Sequence, residues 1–255
     1  VCTAGILEDG SWIRLYPIPF RKLDFDQMYK KYTWIQADVC RNTSDFRPET
    51  YRPIDLPSIV IEPSPKKADW DERRRIIFKN KKIYTNLQEL IGKAKTDKTS
   101  LAVFKPTELL DFIIEPIERE WDPIKLECLE NLSKQMNMFQ TPEEIKNEFK
   151  TVQKVPYKFS YKFEDDTGKQ SKLMVEDWEL GMLYFNCLKS THGNEKKAIV
   201  KVKEKYLNYF MSRDIYFFLG TTKKYHNFAL NPFIIIGVFY PPIQKHKQNS
   251  LFDLQ

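Results

Sequence analysis

At 255 residues, with 42% hydrophobic and 14% aromatic side chains, the chain can bury one large core or two modest ones. Its 41 basic and 35 acidic residues leave a net charge of +6, which suits a polyanionic partner without demanding one. Cys2, Cys40, Cys128 and Cys187 lack the paired spacing of a zinc site or disulfide framework, and no apolar run reaches about 18 residues. The expectation is therefore a cytoplasmic protein without a membrane partner.

Residues 1–16 read as a hairpin, Cys2 to Leu7 and Ser11 to Tyr16, turning at Glu8-Asp9-Gly10. The chain starts at Val1 in strand-like sequence, as expected where further sequence precedes it; no signal peptide is visible. Alternation on the second strand sets Ile13 and Leu15 on one face and Trp12, Arg14 and Tyr16 on the other. Two rings around a guanidinium can stack bases and hold phosphate; a covering helix, with Arg14 reaching past it, is the competing arrangement. A short helix is expected around Asp24 to Tyr32, then a single strand from Thr33 to Arg41.

The segment Asp45-Phe46-Arg47-Pro48-Glu49-Thr50-Tyr51-Arg52-Pro53 is the best contact loop. Prolines limit its entropy, and Arg47 and Arg52, beside Tyr51, present the planar donor fork that suits phosphate. Asp45 and Glu49 can instead pair with these arginines internally. Leu56 to Glu62 reads as an apolar strand. Asp69 caps a helix from Trp70 to Lys79 that carries Arg73, Arg74 and Arg75, a basic patch beside Lys66 and Lys67. Leu87 to Ala94 reads as a helix, with strands at Ser100 to Lys105 and Phe112 to Ile117.

From about residue 122 the pattern becomes helical. Asp122-Pro123 starts one helix, with Leu126, Leu129, Leu132, Met136 and Phe139 in a stripe, and Thr141-Pro142-Glu143-Glu144 starts another. Tyr157, Phe159, Tyr161 and Phe163 then alternate with Lys158, Ser160 and Lys162 in a strand. A turn containing Asp165 and Asp166 leads to a strand at Lys172 to Val175 and a helix opened by Glu176-Asp177-Trp178-Glu179. The spacing of these carboxylates is that of a solvated turn and of a helix start favoured by the macrodipole; the runner-up is that Asp166, Asp177 and Glu179 bind Mg²⁺ or Mn²⁺ in a nuclease. No metal site or cofactor is otherwise indicated. The helix from Glu195 to Arg213 stacks Lys197, Lys201 and Lys205 in a row that fits a phosphate backbone or a plain solvated face. Strands at Ile215 to Thr221 and Phe233 to Tyr240 precede Pro241-Pro242.

The expected fold is α+β: a mixed, largely antiparallel sheet, barrel-like in its N-terminal part, with a helix-rich C-terminal half. Three regions are expected, 1–120, 121–242 and a basic tether with a tail at 243–255. No P-loop, dinucleotide fingerprint or nucleophile elbow occurs.

The tail reads Gln248-Asn249-Ser250-Leu251-Phe252. It resembles the peptide, roughly Gln-Leu-Ser/Asp-Leu-Phe, by which bacterial DNA-handling proteins dock on the sliding clamp; Asn249 stands where leucine is usual. The resemblance implies that Gln248, Ser250, Leu251 and Phe252 bind the clamp. On the residues alone, the apolar pair fits a partner's pocket or the protein's own core. Together these features point to a DNA-associated binding protein tethered to the clamp in replication, repair, mobile-element propagation or defence. A metal-dependent nuclease or other nucleic-acid-processing enzyme, and a protein-interaction subunit of a larger assembly, are the alternatives.

Overall fold

The computed structural model describes residues 2–18, 20, 28–55, 57–64, 69–96, 98–123 and 153–244. The helices expected after residue 122 and the 248–252 peptide lie outside them, as does most of the helix expected from Asp24; its described end, from Met28, is not helical. The fold is α+β with mostly antiparallel sheets. Among the described residues no sheet closes into a barrel, which corrects the expectation for the N-terminal part.

The organising element is a four-stranded sheet of β7 (Ile83–Tyr84), β8 (Leu101–Phe104), β12 (Tyr216–Thr221) and β13 (Phe233–Phe239), in the order β13-β12-β8-β7. Its strands are apolar along their length because both faces are covered. Ala102, Phe104, Phe217, Leu219 and Ile235 point into the main core. Val103, Tyr216 and Phe239 point the other way, with Phe218 packed beside them.

Against the first face lie α2 (Leu87–Thr96), the antiparallel sheet β9 (Glu108–Pro116), β10 (Tyr157–Glu164) and β11 (Gln170–Met174), and helices α3 (Trp178–Ser190) and α4 (Glu195–Lys203). The aromatic alternation of β10 is realised: Phe159, Tyr161 and Phe163 are buried, and Tyr157 packs at the edge of the same core. Leu109 and Phe112 share this core with residues beyond 155, so the division expected near residue 120 does not coincide with a break in it.

The other face is covered by α1 (Trp70–Phe78) and the hairpin of β1 (Thr3–Ile6) and β2 (Trp12–Leu15), through Ile77, Phe78, Trp70 and Trp12. The hairpin turn docks on the end of α1, where Lys79 Nζ donates to Glu8 O at 2.6 Å and Asn80 Nδ2 to Asp9 O at 2.9 Å. Gly10, at φ +92°, is required there: a Cβ would lie 2.2 Å from Lys79 O. The sheet continues from β2 to β5 (Thr50–Pro53) and β4 (Val39–Arg41), while β3 (Trp34–Gln36) pairs with β6 (Val60–Glu62). The strand expected from Thr33 to Arg41 is therefore two strands in two sheets, broken at Ala37-Asp38.

Candidate site: a cation–aromatic seam between the two halves

Edge strand β13 is covered by different groups along its length. Near its start the chain leaving β11 bonds to it: Val175 bridges Ile235, and Glu176 N donates to Ile235 O at 2.8 Å. That pairing delivers Asp177 as the N-cap of α3, its Oδ1 accepting from Glu179 N at 2.9 Å. Farther along, Lys31 Nζ donates to Val238 O at 3.2 Å and to Glu179 Oε2 at 2.8 Å, and stands 3.7 Å from Asp177 Oδ2. Gly237 keeps this edge open. A Cβ there would meet Phe218 at 3.2 Å, with Lys31 Nζ at 3.7 Å and Asp177 Oδ2 at 3.9 Å.

Glu179 is the principal counterion of Lys31, so Asp177 keeps one oxygen without a hydrogen-bond partner, although its side chain is only 7% exposed. Burial raises the Asp177 pKa against the pull of Lys31. For Lys31, burial acts against the charge, but Tyr32, Asp177 and Glu179 outweigh it and the pKa rises.

Cations and rings extend from this pair. Tyr32 takes a left-handed φ of 64°, a conformation that costs a bulky residue about 1–3 kcal/mol and collects at functional positions. Burial pushes its hydroxyl up to about 12, and that hydroxyl has no hydrogen-bond partner. The Arg73 guanidinium lies 4.3 Å from the Tyr32 ring and 5.4 Å from the Trp70 ring. Trp70 in turn lies 5.5 Å from Tyr240.

On the far side, α4 runs into a π-helical segment, Glu204–Tyr209. Lys205 lies within it, half-buried where Lys197 and Lys201 are exposed, and such segments recur at functional sites. Lys205 Nζ sits 3.7 Å from the Tyr209 ring and 5.1 Å from Tyr240, with Arg213 4.7 Å from Tyr209. Burial and Arg213 lower the Lys205 pKa, with Glu179 opposing. Four cations (Lys31, Arg73, Lys205 and Arg213) thus sit over or beside aromatic faces, opposed by Asp177 and Glu179. Flat rings and positive charge together receive planar, anionic groups.

Of the sequence candidates, Arg73, Lys205, Asp177 and Glu179 meet here. Of the other arginines of the expected contact surfaces, Arg14 and Arg47 are turned inward, Arg74 is bound and Arg52 is exposed. Arg14, 2% exposed, donates to Ser100 Oγ at 2.7 Å, Ser100 O at 3.1 Å and Thr50 Oγ1 at 3.3 Å. Arg47 is buried on Asp45 and donates to Thr221 O. Both guanidinium groups are thereby removed from the surface, because Ser100 and Thr221 of the C-terminal region close over them. Trp12 is half-buried edge-on to Phe218, and Tyr16 is exposed. Tyr51 lies under Arg41, 5.4 Å from its guanidinium. Arg52 is exposed beside Cys40, and Arg74 is held by Asp214 and Pro242 O. Lys197 and Lys201 are exposed on α4.

Asp166 accepts from Thr85 Oγ1 at 2.6 Å at the tip of the β10–β11 hairpin, at the opposite end of that hairpin from Asp177. The three carboxylates considered for metal therefore do not converge, and among the described residues no group of three or more His, Cys, Asp or Glu side chains is placed to hold a metal ion. Lys31, Tyr32, Tyr209, Arg213 and Tyr240 were not singled out by sequence as site residues. The aromatic end of the Glu195–Arg213 helix was the one available signal.

Among the described residues no helix is long and apolar enough to cross a membrane. No curated protein and no solved structure matches the chain. A family model described as Domain of unknown function (DUF8758) matches residues 1–79, and through residues 83–255 the chain belongs to the family described as Domain of unknown function (DUF8757).

Proposed function

We propose that the protein is a DNA-associated binding protein that holds a nucleic-acid strand along the seam between its two family-matched regions. In this reading its C-terminal peptide carries it to the sliding clamp. The observation that supports strand binding is the set of cations seated on rings: Arg73 on Tyr32 and Trp70, Lys205 on Tyr209 and Tyr240, Arg213 on Tyr209. Rings of this kind stack bases, and cations at their faces meet the phosphates between them. Tethering to a clamp would raise the local concentration of DNA toward the millimolar range, so a modest seam suffices.

The test is fluorescence anisotropy of a labelled single-stranded oligonucleotide over a salt series, comparing the intact chain with Lys205→Ala/Arg213→Ala. Each phosphate contact contributes about 0.7 to the salt slope on single strands, so the double variant should lose roughly 1.4 and bind weakly at every sequence. Unchanged affinity and slope would remove the seam from the account. In parallel, purified clamp should retain the intact chain and not a chain ending at residue 247. Failure of that arm would sever the clamp from the reading without touching the seam.

A further inference from the structure

The loop joining β12 to β13, residues 222–232, presents two large apolar side chains almost wholly to solvent. Phe228 is 87% exposed and Leu230 89%. The loop is nevertheless built. His226 is buried, with Nδ1 2.8 Å from Thr221 Oγ1, and Phe46 packs on its ring at 5.3 Å. Tyr225 N and His226 N donate to Thr222 O, and Phe228 N and Ala229 N to Tyr225 O. Asn231 Oδ1 accepts from Phe233 N at 3.0 Å and closes the loop. The inward residue is pinned and the apolar pair is turned out, with Ala229 between them. The loop's charged side chains are Lys223 and Lys224, both exposed, and it contains no carboxylate.

We infer that this loop is an unstacking wedge: Phe228 and Leu230 enter between neighbouring base pairs of a DNA duplex while Lys223 and Lys224 rest on the flanking phosphates. The inference rests on the nucleic-acid reading of the seam. Two observations select DNA as the occupant. The charge of the loop is wholly positive, complementary to a phosphate backbone. It also lies at one end of β13 and the seam at the other, across the seven residues Phe233–Phe239. At about 3.4 Å per residue that separation is roughly 23 Å, or about seven base-pair rises, so one duplex running parallel to β13, outside the groups that cover its edge, spans both. Apolar side chains inserted at a base step unstack it and bend the duplex, while neighbouring basic groups secure the backbone.

The experiment uses the full chain and a duplex carrying a fluorescent aminopurine base, which brightens when it is unstacked, with anisotropy of the same duplex as a measure of binding. Phe228→Ser/Leu230→Ser removes the wedge at positions already in solvent, and its unfolding midpoint should match the parent's. The parent should raise the aminopurine signal roughly twofold or more. The variant should leave it at the free-duplex level while still binding within about tenfold of the parent. Binding by the parent without brightening overturns the wedge and leaves the seam standing. Absence of any anisotropy change with single strand or duplex overturns the nucleic-acid reading and the wedge with it. Co-sedimentation with phosphatidylserine vesicles that depends on Phe228 and Leu230, without brightening, reassigns the loop to a lipid surface and overturns the wedge.

Discussion

Replacing Arg14 by Met tests how the first 79 residues are joined to the rest. The side chain is buried and bridges the two regions through Ser100, with Glu49 Oε2 3.8 Å away as its counterion. Breaking a buried pair costs about 3–5 kcal/mol, mostly because one charge stays behind. Here the groups left behind keep partners. Glu49 still accepts from Ser100 N at 3.1 Å and Ser100 Oγ at 2.6 Å, and Ser100 O still accepts from Thr221 N at 3.0 Å. The loss should therefore fall at the lower end, about 3 kcal/mol. Adding Glu49→Gln removes the stranded charge and should recover about 1 kcal/mol or more. Urea unfolding followed by tryptophan fluorescence reads both steps, with the Arg14→Met midpoint lowered by about 1 M for a slope near 3 kcal/mol/M. A loss under about 1 kcal/mol, or a double variant weaker than the single one, would refute the reasoning.

Gly10→Ala forces a Cβ to 2.2 Å from Lys79 O at a left-handed φ. It should cost more than about 2 kcal/mol, read as a lowered unfolding midpoint, and parental stability would exclude the close approach. Asp177→Asn keeps the α3 cap, since Asn serves as well there, and removes a negative charge from the seam; low-salt strand affinity should rise, by up to about tenfold, and weaker binding would count against phosphate at that end. His226 is held below its ordinary pKa by burial and by Arg47. Its contribution is full above the unfolded value of about 6.5 and is lost as pH falls from there toward the folded pKa, because the unfolded chain then binds the extra proton. A His226→Gln variant should flatten the fall in stability below about pH 6.5, and an unchanged slope would mean that another group carries it.

The elements with one clear period were legible in sequence. The β10 alternation grouped its buried aromatic residues, and the Asp69 cap and the run Glu176-Asp177-Trp178-Glu179 marked the starts of α1 and α3. Arg14 was misplaced for a reason inherent in the pattern: alternation separates two faces but does not say which is wet, and at Arg14 and Leu15 both are covered. The break at Ala37-Asp38 was hidden because β3 and β4 share one alternation while pairing with strands of different sheets. The seam was beyond reach because its parts meet only through the fold. Lys31 bonds Glu179 across 148 positions, and the π-helical turn that holds Lys205 leaves no trace in a lysine repeat that continues through it.

Where the described chain ends carries its own geometric consequence. Arg74 holds Pro242 O at 2.7 Å and Gln244 Nε2 reaches Asp71 Oδ1 at 3.4 Å, fastening the last described residues along α1 beside Trp70. From Gln244 to Gln248 is four residues, a span of at most roughly 14 Å. On the proposed clamp docking, a partner gripping the peptide from Gln248 would therefore be held within that span of the α1 flank formed by Trp70, Asp71 and Arg74.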